Sequence, residues 1–420
     1  MKITHIHIER FRGFQNEDFE VGSLLTAIAG QNGTQKSTLL GIITQTFTLK
    51  TEDSMRVEKP LCGGSYISAF KDKFRLSPTF DKPKGHEWTI SFDAGMDDFT
   101  VESIKRTGDP NVRFWKKGAR QEGDGYISFP TIFLSLKRLV PVAEEAKIIT
   151  DDTLLTQEEL NEFKQLHNKI LIAQTPISSA TTITSKNKQS IGVSTELYDW
   201  NQNSMGQDNL GKIILALFSF KRLHDKYPRQ YKGGILAIDE MDATMYPASQ
   251  VELLKVLRKY ASKLNLQILF TTHSMSLLKA MDDLVQEVTK KEETANQAKI
   301  LYLKKVDDKI AIKQGVNFKG IQLDLNVVAE GNNRKKNRIT AYTEDKENIL
   351  FVKAILKSKA FVLDFVDVTL PCSTLMELVT KRVPAFIYPY SIVILDGDVR
   401  MNKNDLRKIN NADNILILPG

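Results

Sequence analysis

The residues best suited to chemistry form one short stretch near the start of the chain, Gly30-Gln31-Asn32-Gly33-Thr34-Gln35-Lys36-Ser37-Thr38. It follows an apolar run that predicts a strand (23–29) and precedes a run that predicts the first turns of a helix (39–43). A glycine-containing turn between a strand and a helix directs backbone N–H groups and a helix N-terminus at one point, which favours phosphate. In such a loop Lys36 would reach the outer phosphates of a nucleotide, and the Ser37 hydroxyl would bind Mg²⁺.

One residue departs from the usual phosphate-loop pattern. Gln35 stands directly before Lys36, where the pattern G-x-x-x-x-G-K-[ST] has a glycine. That glycine takes a backbone conformation that side chains tolerate poorly. A chance combination of Gly, Lys and Ser is the alternative for this stretch alone, so its interpretation depends on the sequence downstream.

Two acids follow a later apolar strand. Residues 235–238 are apolar and lead directly into Asp239 and Glu240. A strand buried on both faces that ends in acids places their carboxylates at the carboxyl edge of a parallel sheet, where ligands bind. Asp239 would hold Mg²⁺ and Glu240 would orient or deprotonate an attacking water. The alternative is a pair of acids that merely ends a strand.

Two further polar sites accompany these strands. A polar turn, Asn203-Ser204-Met205-Gly206-Gln207-Asp208, opens a predicted helix from Asn209 to about Tyr227. The buried strand predicted at 266–272 is followed by His273, which we expect to hydrogen-bond a γ-phosphate, although an isolated histidine is more often structural.

A second group of acids lies near the end of the chain. A predicted strand ends at Glu344, with Asp345 and Glu347 close behind, and another, at 391–395, ends at Asp396-Gly397-Asp398. Carboxylates two residues apart around a turn can bind one hard cation. Two unrelated acidic strand ends are the alternative. Basic residues that would neutralise nucleic-acid phosphates follow the second strand: Arg400, Lys403 and Arg407.

The elements around these residues alternate between strands and helices and predict an α/β fold in two domains. The first covers 1–325, with an insertion at about 51–200, and the second covers 326–420. Predicted helices lie at 158–172, 248–263, 348–357, 373–381 and 402–411, and predicted strands at 2–9, 18–21, 88–92, 99–104, 131–136, 299–305, 309–313, 339–343, 365–370 and 414–418. Residues 178–189 are predicted to be an exposed loop and 316–323 a turn. The basic stretch 332–338 is either a solvated linker or a phosphate contact.

Composition excludes several classes of protein. The 420 residues are 41% hydrophobic and 26% charged, and no apolar run approaches the ~20 residues of a membrane span. Two distant cysteines, Cys62 and Cys372, indicate neither a disulfide framework nor a zinc site, which fits a reduced cytoplasmic compartment. The net charge of +7 favours nucleic-acid binding only weakly.

The order of the motifs resembles ABC-type ATPases of the SMC (structural maintenance of chromosomes) and OLD (overcoming lysogenization defect) kind. Residues 30–38 are similar to the Walker A loop, Ser204-Met205-Gly206-Gln207 to the signature, 235–240 to Walker B, 242–247 to the D-loop and His273 to the switch histidine. The resemblance implies that ATP and Mg²⁺ bind, with Mn²⁺ as the alternative metal. It also implies a homodimer through the ATPase heads, or a larger assembly, with each signature at the partner's γ-phosphate.

The second group of acids resembles a Toprim domain, in which Glu344 matches the glutamate, Asp396 and Asp398 match the D-x-D pair, and Asp345 or Glu347 assists. This resemblance implies metal-dependent cleavage of DNA. An ABC head followed by Toprim is the layout of OLD-family nucleases, which implies a role in antiphage defence. The family usually continues beyond the position of Gly420 with another acidic ligand, so we expect the domain to be incomplete here.

Two other functions fit the same motifs. The chain would be an ATP-gated scaffold or sensor with an inert Toprim domain, whose partner, for example a retron reverse transcriptase with its DNA, supplies the toxic activity. Alternatively it would be an SMC-like DNA repair ATPase, although no long heptad arm follows residue 50. No glutamine between 50 and 80 matches the family's Q-loop.

Overall fold

The computed structural model describes residues 1–66, 70–93, 95–105, 112–118, 124–139, 148–151, 154–185, 189–330, 339–387, 391–410 and 412–419. The chain forms two compact units, Met1–Leu325 and Asn326–Gly420. Within the described residues, no helix has the length and apolar character needed to cross a membrane.

Strands account for much of both units. In chain order they are β1 (Ile3–Phe11), β2 (Phe14–Glu20), β3 (Leu25–Gly30), β4 (Phe47–Thr48), β5 (Glu87–Phe92), β6 (Phe99–Lys105), β7 (Val112–Lys116), β8 (Ile127–Ser128), β9 (Thr131–Leu134), β10 (Ile149–Asp151), β11 (Ser179–Thr184), β12 (Gln189–Ser194), β13 (Gly234–Ile238), β14 (Leu266–Thr272), β15 (Ala298–Val306), β16 (Lys309–Lys313), β17 (Ile339–Thr343), β18 (Leu363–Phe365), β19 (Ser391–Leu395) and β20 (Ile415–Ile417).

The α-helices lie mainly between these strands. They are α1 (Lys36–Thr44), α2 (Phe70–Lys73), α3 (Gln157–Leu171), α4 (Met205–Lys226), α5 (Pro247–Lys263), α6 (Met275–Val288), α7 (Phe318–Glu330), α8 (Lys346–Leu356), α9 (Cys372–Thr380) and α10 (Lys403–Asn410). The helices and strands predicted at 158–172, 248–263, 299–305 and 309–313 are confirmed to within a residue or two.

A six-stranded sheet lies at the centre of the first unit, in the order β16-β15-β3-β14-β13-β9. Only the edge strand β16 is antiparallel to its neighbour. Every residue of β3, β13 and β14 is buried, as expected for parallel strands covered on both faces. The carboxyl ends of β3, β13 and β14 therefore lie side by side at one edge of the sheet.

The two faces of this central sheet bury different partners. Leu236 and Ile268 pack in one core with apolar residues of α4, α5 and α6. Ile235 and Leu269 pack in a second core with α1 and with a five-stranded antiparallel sheet in the order β2-β1-β5-β6-β7. This alternation along each strand fixes the register of the central sheet.

Two predictions about the first unit are wrong. Residues 178–189 are not simply an exposed loop, because β11 and β12 form an antiparallel pair in which Ile183 is buried. The Thr-rich composition suggested a loop, but threonine is favoured in strands. Residues 316–323 are not only a turn, since α7 begins within them, with the Asn317 side chain accepting a hydrogen bond from the Gly320 N–H at 2.9 Å. The segment at about 51–200, predicted to be an insertion, contributes β9 to the central sheet.

The second unit contains a four-stranded parallel sheet in the order β18-β17-β19-β20. One face packs in a core with Leu375 and Val393, and the other with Val352 and Ile394. The strand predicted at 365–370 is wrong in its extent, because β18 ends at Phe365. The basic stretch 332–338 lies outside the described residues.

His167 gives a testable consequence of burial in the first unit. It is 2% exposed in α3, and neither ring nitrogen makes a hydrogen bond to the described residues. Burial lowers its pKa from 6.5 to about 4. The pKa of His167 is lower in the folded protein than in the unfolded chain, so the unfolded chain binds the proton more tightly. The contribution of His167 to the free energy of unfolding is therefore fully present above pH 6.5 and is lost as the pH falls toward 4.

We expect His167 to destabilise the first unit by about 2 kcal/mol at about pH 5 relative to about pH 7.5. The measurement compares melting temperatures at the two pH values for the parent, His167→Leu and His224→Leu, the last at a partly exposed position. The shift between pH values should shrink only in His167→Leu. An equal shift in all three proteins would contradict the assignment.

Candidate functional site

The phosphate loop, residues 30–38, connects the carboxyl end of β3 to the start of α1. Gly30 has a φ of 152°, and a Cβ there would lie 2.5 Å from the Leu303 carbonyl oxygen. A residue with a side chain would thus be both strained and too close to β15. This position holds the loop against the central sheet.

Gln35 adopts the backbone conformation that the sequence pattern assigns to glycine. Its φ is 62° and its ψ 33°, in the left-handed region, and it stands at the N-cap of α1. Its side chain does not cap the helix. The N–H groups in the first turn of α1 therefore receive no hydrogen bond from this side chain, which favours the binding of an anion at the N-terminus of the helix.

Lys36 lies across the phosphate loop. Its Nζ donates to the carbonyl oxygens of Gly30 at 3.1 Å and Gln31 at 3.0 Å, and the residue is 8% exposed. Burial lowers the Lys36 pKa to about 8, while the carboxylates of Glu240, Asp239 and Asp242 act to raise it. The ammonium group is held by weak carbonyl acceptors that a phosphate can replace.

Ser37 and Asp239 meet at the base of this loop. The Ser37 hydroxyl donates to Asp239 Oδ1 at 2.9 Å, and the Thr271 hydroxyl donates to the same oxygen at 2.7 Å. The Thr271 oxygen in turn accepts a hydrogen bond from the Glu240 N–H at 2.6 Å. Two hydroxyl groups from two neighbouring segments thus donate to one carboxylate oxygen.

The donor set fits Mg²⁺. One hydroxyl and one carboxylate lie together at the phosphate loop, and Mg²⁺ in nucleotide sites takes one or two carboxylates with phosphates and water. Among the described residues, no group of three or more His, Cys, Asp and Glu side chains is arranged to hold a metal by itself. Ser37 and Asp239 would therefore hold the cation together with the phosphates.

Glu240 and His273 face a cleft above the loop. This phosphate-loop cleft has a volume of about 330 Å³, and its lining residues are Asn32, Gly33, Gln35, Lys36, Ser37, Thr38, Glu240, Thr271 and His273. Burial raises the pKa of Glu240, and Asp239 and Asp242 raise it further. Burial lowers the pKa of His273, and the Lys36 charge adds to this effect. Both shifts favour the neutral forms of these side chains.

The predicted signature residues lie elsewhere on the first unit. The helix predicted to begin at Asn209 begins at Met205, because Ser204 and Gln207 form a reciprocal capping box at its start. Gly206 packs so closely on the 242–247 loop that a Cβ would lie 2.5 Å from the Thr244 carbonyl oxygen. Ser204 and Met205 are exposed, and none of Ser204, Gly206 and Gln207 lines the phosphate-loop cleft.

Sequence reasoning missed three residues that support the site. Thr271 bridges Asp239 and Glu240, as described above. Arg138, directly after β9, is 1% exposed and donates to the Glu240 carbonyl oxygen at 2.7 Å. Asn209 accepts from Arg138 at 2.7 Å and donates to the Ala243 carbonyl oxygen at 3.0 Å. An arginine directly after a buried strand was the one signal available in the sequence.

In the second unit, Glu344 follows β17 and Asp396 follows the adjacent parallel strand β19. The Asp396 N–H donates to Glu344 Oε1 at 2.9 Å. Burial raises the pKa of Glu344, and Asp398, Asp396 and Asp345 raise it further, against that hydrogen bond. The carboxylates are therefore close enough to repel one another.

The remaining predicted residues of this unit are less directly placed at Glu344. Asp345 is the N-cap of α8, where its side chain accepts from the Asn348 N–H at 2.9 Å, and Glu347 lies in the first turn of that helix. Arg400 is exposed, and the side chains of Lys403 and Arg407 lie outside the described residues. Cys372 was not predicted to belong to this group. Burial raises the pKa of its thiol to about 11, and the nearby Glu344 carboxylate adds to this effect.

The phosphate loop, its lysine and the serine beside a strand-end aspartate define the class of P-loop nucleotide-binding proteins. The sequence matches the AAA ATPase domain family over residues 1–191 and 135–278, which together span residues 1–278 of the 420. The chain belongs to this family and carries an ATPase domain. No curated protein matches the chain significantly.

Solved structures with similar folds include SMC head domains, all at 13% sequence identity. The head domain from Thermotoga maritima has a TM-score of 0.42, with 75% of this chain and 100% of that chain covered. An SMC head bound to the C-winged helix domain of ScpA has a TM-score of 0.44, with 77% and 100% covered. The SMC head with an extended coiled coil, bound to the ScpA C-terminal domain derived from Pyrococcus furiosus, has a TM-score of 0.42, with 78% and 99% covered. Family membership follows from the sequence match alone.

The backbone of Gln35 predicts how two substitutions will differ. Gln35→Gly should retain or strengthen ATP binding, because glycine adopts the left-handed region without strain. Gln35→Val should weaken it about 10-fold, because a β-branched residue is strained there by about 1–2 kcal/mol. Titration with a fluorescent ATP analogue measures both variants beside the parent. Equal affinities of the glycine and valine variants would contradict the backbone assignment.

Proposed function

We propose that the first unit binds ATP in the phosphate-loop cleft and hydrolyses it, and that the second unit cuts DNA in a metal-dependent reaction. The observation that carries the first half is the contact of 2.9 Å between Ser37 and Asp239 beneath the loop that holds Lys36. It brings together, at the carboxyl edge of the central sheet, two oxygen atoms that would serve as ligands of a nucleotide-bound Mg²⁺.

Each residue of the cleft has a role in hydrolysis. The loop N–H groups and Lys36 hold the phosphates, and Lys36 exchanges its carbonyl acceptors for phosphate oxygens. Ser37 and Asp239 would hold Mg²⁺, which would supply positive charge to neutralise the phosphates. Glu240 orients the attacking water and accepts its proton. Its raised pKa supports this role, because a base is most effective when its pKa approaches the working pH. His273 hydrogen-bonds the γ-phosphate.

A second copy of the chain completes the site. Ser204 and Met205 are exposed at the N-terminus of the 22-residue helix α4, outside the cleft of their own chain. The helix N-terminus carries partial positive charge, which attracts a phosphate. The resemblance of Ser204, Gly206 and Gln207 to the signature of SMC-type ATPases supports a homodimer, or a larger assembly, with each α4 at the partner's cleft.

The nuclease half of the proposal concerns the second unit. Glu344 and Asp396 follow adjacent parallel strands and are joined by a hydrogen bond of 2.9 Å. With Asp398 they present carboxylates, which are suitable ligands for Mg²⁺ or Mn²⁺ that activates water against a phosphodiester bond. Together with the Toprim resemblance of these residues, this supports an OLD-type nuclease, for which antiphage defence is the role.

One observation favours a second function. Among the described residues, the acids of the second unit do not form a group of three ready to hold a metal. A sensor or scaffold would need no such site. In that case ATP binding would control a partner that carries the destructive activity, such as a reverse transcriptase with its DNA.

For the first unit, we expect Glu240→Gln to bind ATP within about threefold of the parent but to hydrolyse it about 100-fold more slowly. The amide keeps the size of the side chain but cannot accept the proton from water. Phosphate release measures turnover, and a fluorescent analogue measures binding. Glu293→Gln, at an exposed acid on the 3₁₀ turn Glu292–Thr294, serves as the control. Turnover by Glu240→Gln at the rate of the parent would exclude Glu240 as the base.

For the second unit, we expect Mg²⁺- or Mn²⁺-dependent cleavage of plasmid DNA to be lost in both Glu344→Ala and Asp396→Ala. Asp413→Ala is the matched control, because this exposed acid precedes β20 and so lies at the opposite edge of the same sheet. Cleavage that survives in all variants would indicate a contaminating nuclease. Absence of cleavage by the parent, with ATP hydrolysis intact, would favour the sensor.

A further inference from the structure

Arg138 is the most completely buried arginine beside the phosphate-loop cleft. It lies in the 3₁₀ turn Leu136–Leu139 and is 1% exposed. Its Nη1 donates to the carbonyl oxygens of Leu134 at 3.2 Å and Ser135 at 3.1 Å. Its Nη2 donates to the Glu240 carbonyl oxygen at 2.7 Å. One guanidinium therefore ties the end of β9 to the residue after the Mg²⁺-binding aspartate.

Asn209 extends this connection to α4. Arg138 Nε donates to Asn209 Oδ1 at 2.7 Å, and Asn209 Nδ2 donates to the Ala243 carbonyl oxygen at 3.0 Å. Asn209 lies one helical turn beyond the exposed start of α4 and is fully buried. The loop that follows Glu240 is thus held from both sides, by Arg138 and by the helix that presents Ser204.

The electrostatics of this cluster are unusual for a purely structural arginine. No carboxylate accepts a hydrogen bond from the guanidinium among the described residues, and all of its acceptors there are carbonyl or amide oxygens. Burial lowers the Arg138 pKa to about 10, and the nearby Asp239, Glu240 and Asp242 act to raise it. The group is therefore charged at neutral pH. An apolar side chain would fill the same volume without the free-energy cost of desolvating a cation. The four hydrogen bonds of Arg138 therefore indicate that this arginine has a role beyond filling space.

Glu240 is the residue most sensitive to this cluster. Its φ of 50° is in the left-handed region, so its backbone depends on the surrounding hydrogen bonds. Two of these fix its peptide groups: the Glu240 N–H donates to Thr271, and its carbonyl oxygen accepts from Arg138. Loss of the second bond would let the carboxylate leave its position in the phosphate-loop cleft, without removing a group that touches the nucleotide.

We propose that Arg138 is a positioning residue that sets the Glu240 carboxylate for catalysis and, through Asn209, couples it to the exposed start of α4. A second copy that contacts Ser204 would then act on Glu240 through α4, Asn209 and the 240–245 loop. The contact of Gly206 with the Thr244 carbonyl provides a parallel link between the same two segments. The catalytic part of this inference rests on the proposed ATP hydrolysis.

The first test separates binding from turnover. We expect Arg138→Met to bind a fluorescent ATP analogue within about threefold of the parent while its kcat falls about 100-fold. Arg138→Lys keeps the charge but cannot reach all four acceptors, and it should recover only part of the rate. Arg222→Met is the matched control, since Arg222 also joins segments through Glu159 and the Leu154 carbonyl, but away from the cleft. A fall of binding and kcat by the same factor in Arg138→Met, with a matching fall in melting temperature, would show a structural role only and overturn the proposal.

The second test does not depend on ATP hydrolysis. Amide hydrogen exchange is measured without nucleotide in the parent, Arg138→Met, Asn209→Leu and Arg222→Met. We expect exchange to rise both in 240–246 and in 205–210 in the first two variants and in neither segment in the third. Unchanged exchange at 205–210 in Arg138→Met would refute the coupling. If the parent neither binds nor hydrolyses ATP, the proposed function fails, while this exchange result still decides the coupling.

Discussion

The arrangement of the first unit depends on the hydrogen bonds that the Asp239 carboxylate accepts. This carboxylate accepts hydrogen bonds from two hydroxyl groups: that of Ser37, in the segment after β3, and that of Thr271, within β14. The ends of three adjacent strands are therefore fixed to one ionised group before any ligand is considered. Loss of either hydroxyl would leave a buried carboxylate short of donors, which is costly in a low-dielectric edge of the sheet. The same atoms would hold Mg²⁺ in the proposed ATP site, so that stability and cation binding would depend on the same contacts.

Local sequence signals predicted the parts of this site that local structure determines. The phosphate loop and Asp239-Glu240 follow apolar runs, and a parallel sheet brings such strand ends together. Even the left-handed backbone at Gln35 was foreseeable, because the pattern requires that conformation at that position whichever residue occupies it. The capping box of Ser204 and Gln207 was also visible in the sequence. The start of α4 was nevertheless predicted at Asn209, because the polar, glycine-containing composition of 203–208 is typical of a turn, whereas the capping box starts the helix at Met205.

The supporting contacts were not predictable, because they join residues far apart in the chain. Arg138 is 102 residues from Glu240 and 71 residues from Asn209. Which arginine reaches which carbonyl depends on the order of strands in the sheet, and hydrophobic periodicity does not specify this order. The β11–β12 pair shows the same limit on a shorter scale. The threonine-rich composition of this segment is typical of a loop. The burial of Ile183, which the sequence does not show, favours the strand instead.

The two groups of acids differ in how their charges are held, and this difference bears on how each would use a cation. In the first unit, Asp239 accepts hydrogen bonds from two hydroxyl groups, and Lys36 and Arg138 supply positive charge nearby. In the second unit, Glu344 accepts one backbone N–H hydrogen bond, burial raises its pKa, and its acidic neighbours raise the pKa further. Mutual repulsion among these acids would be relieved by a divalent cation, whose charge favours the ionised form of every carboxylate around it. A cation bound in the second unit would therefore lower the pKa of Glu344, and its affinity would fall with falling pH, because protons compete with the cation for the same carboxylate.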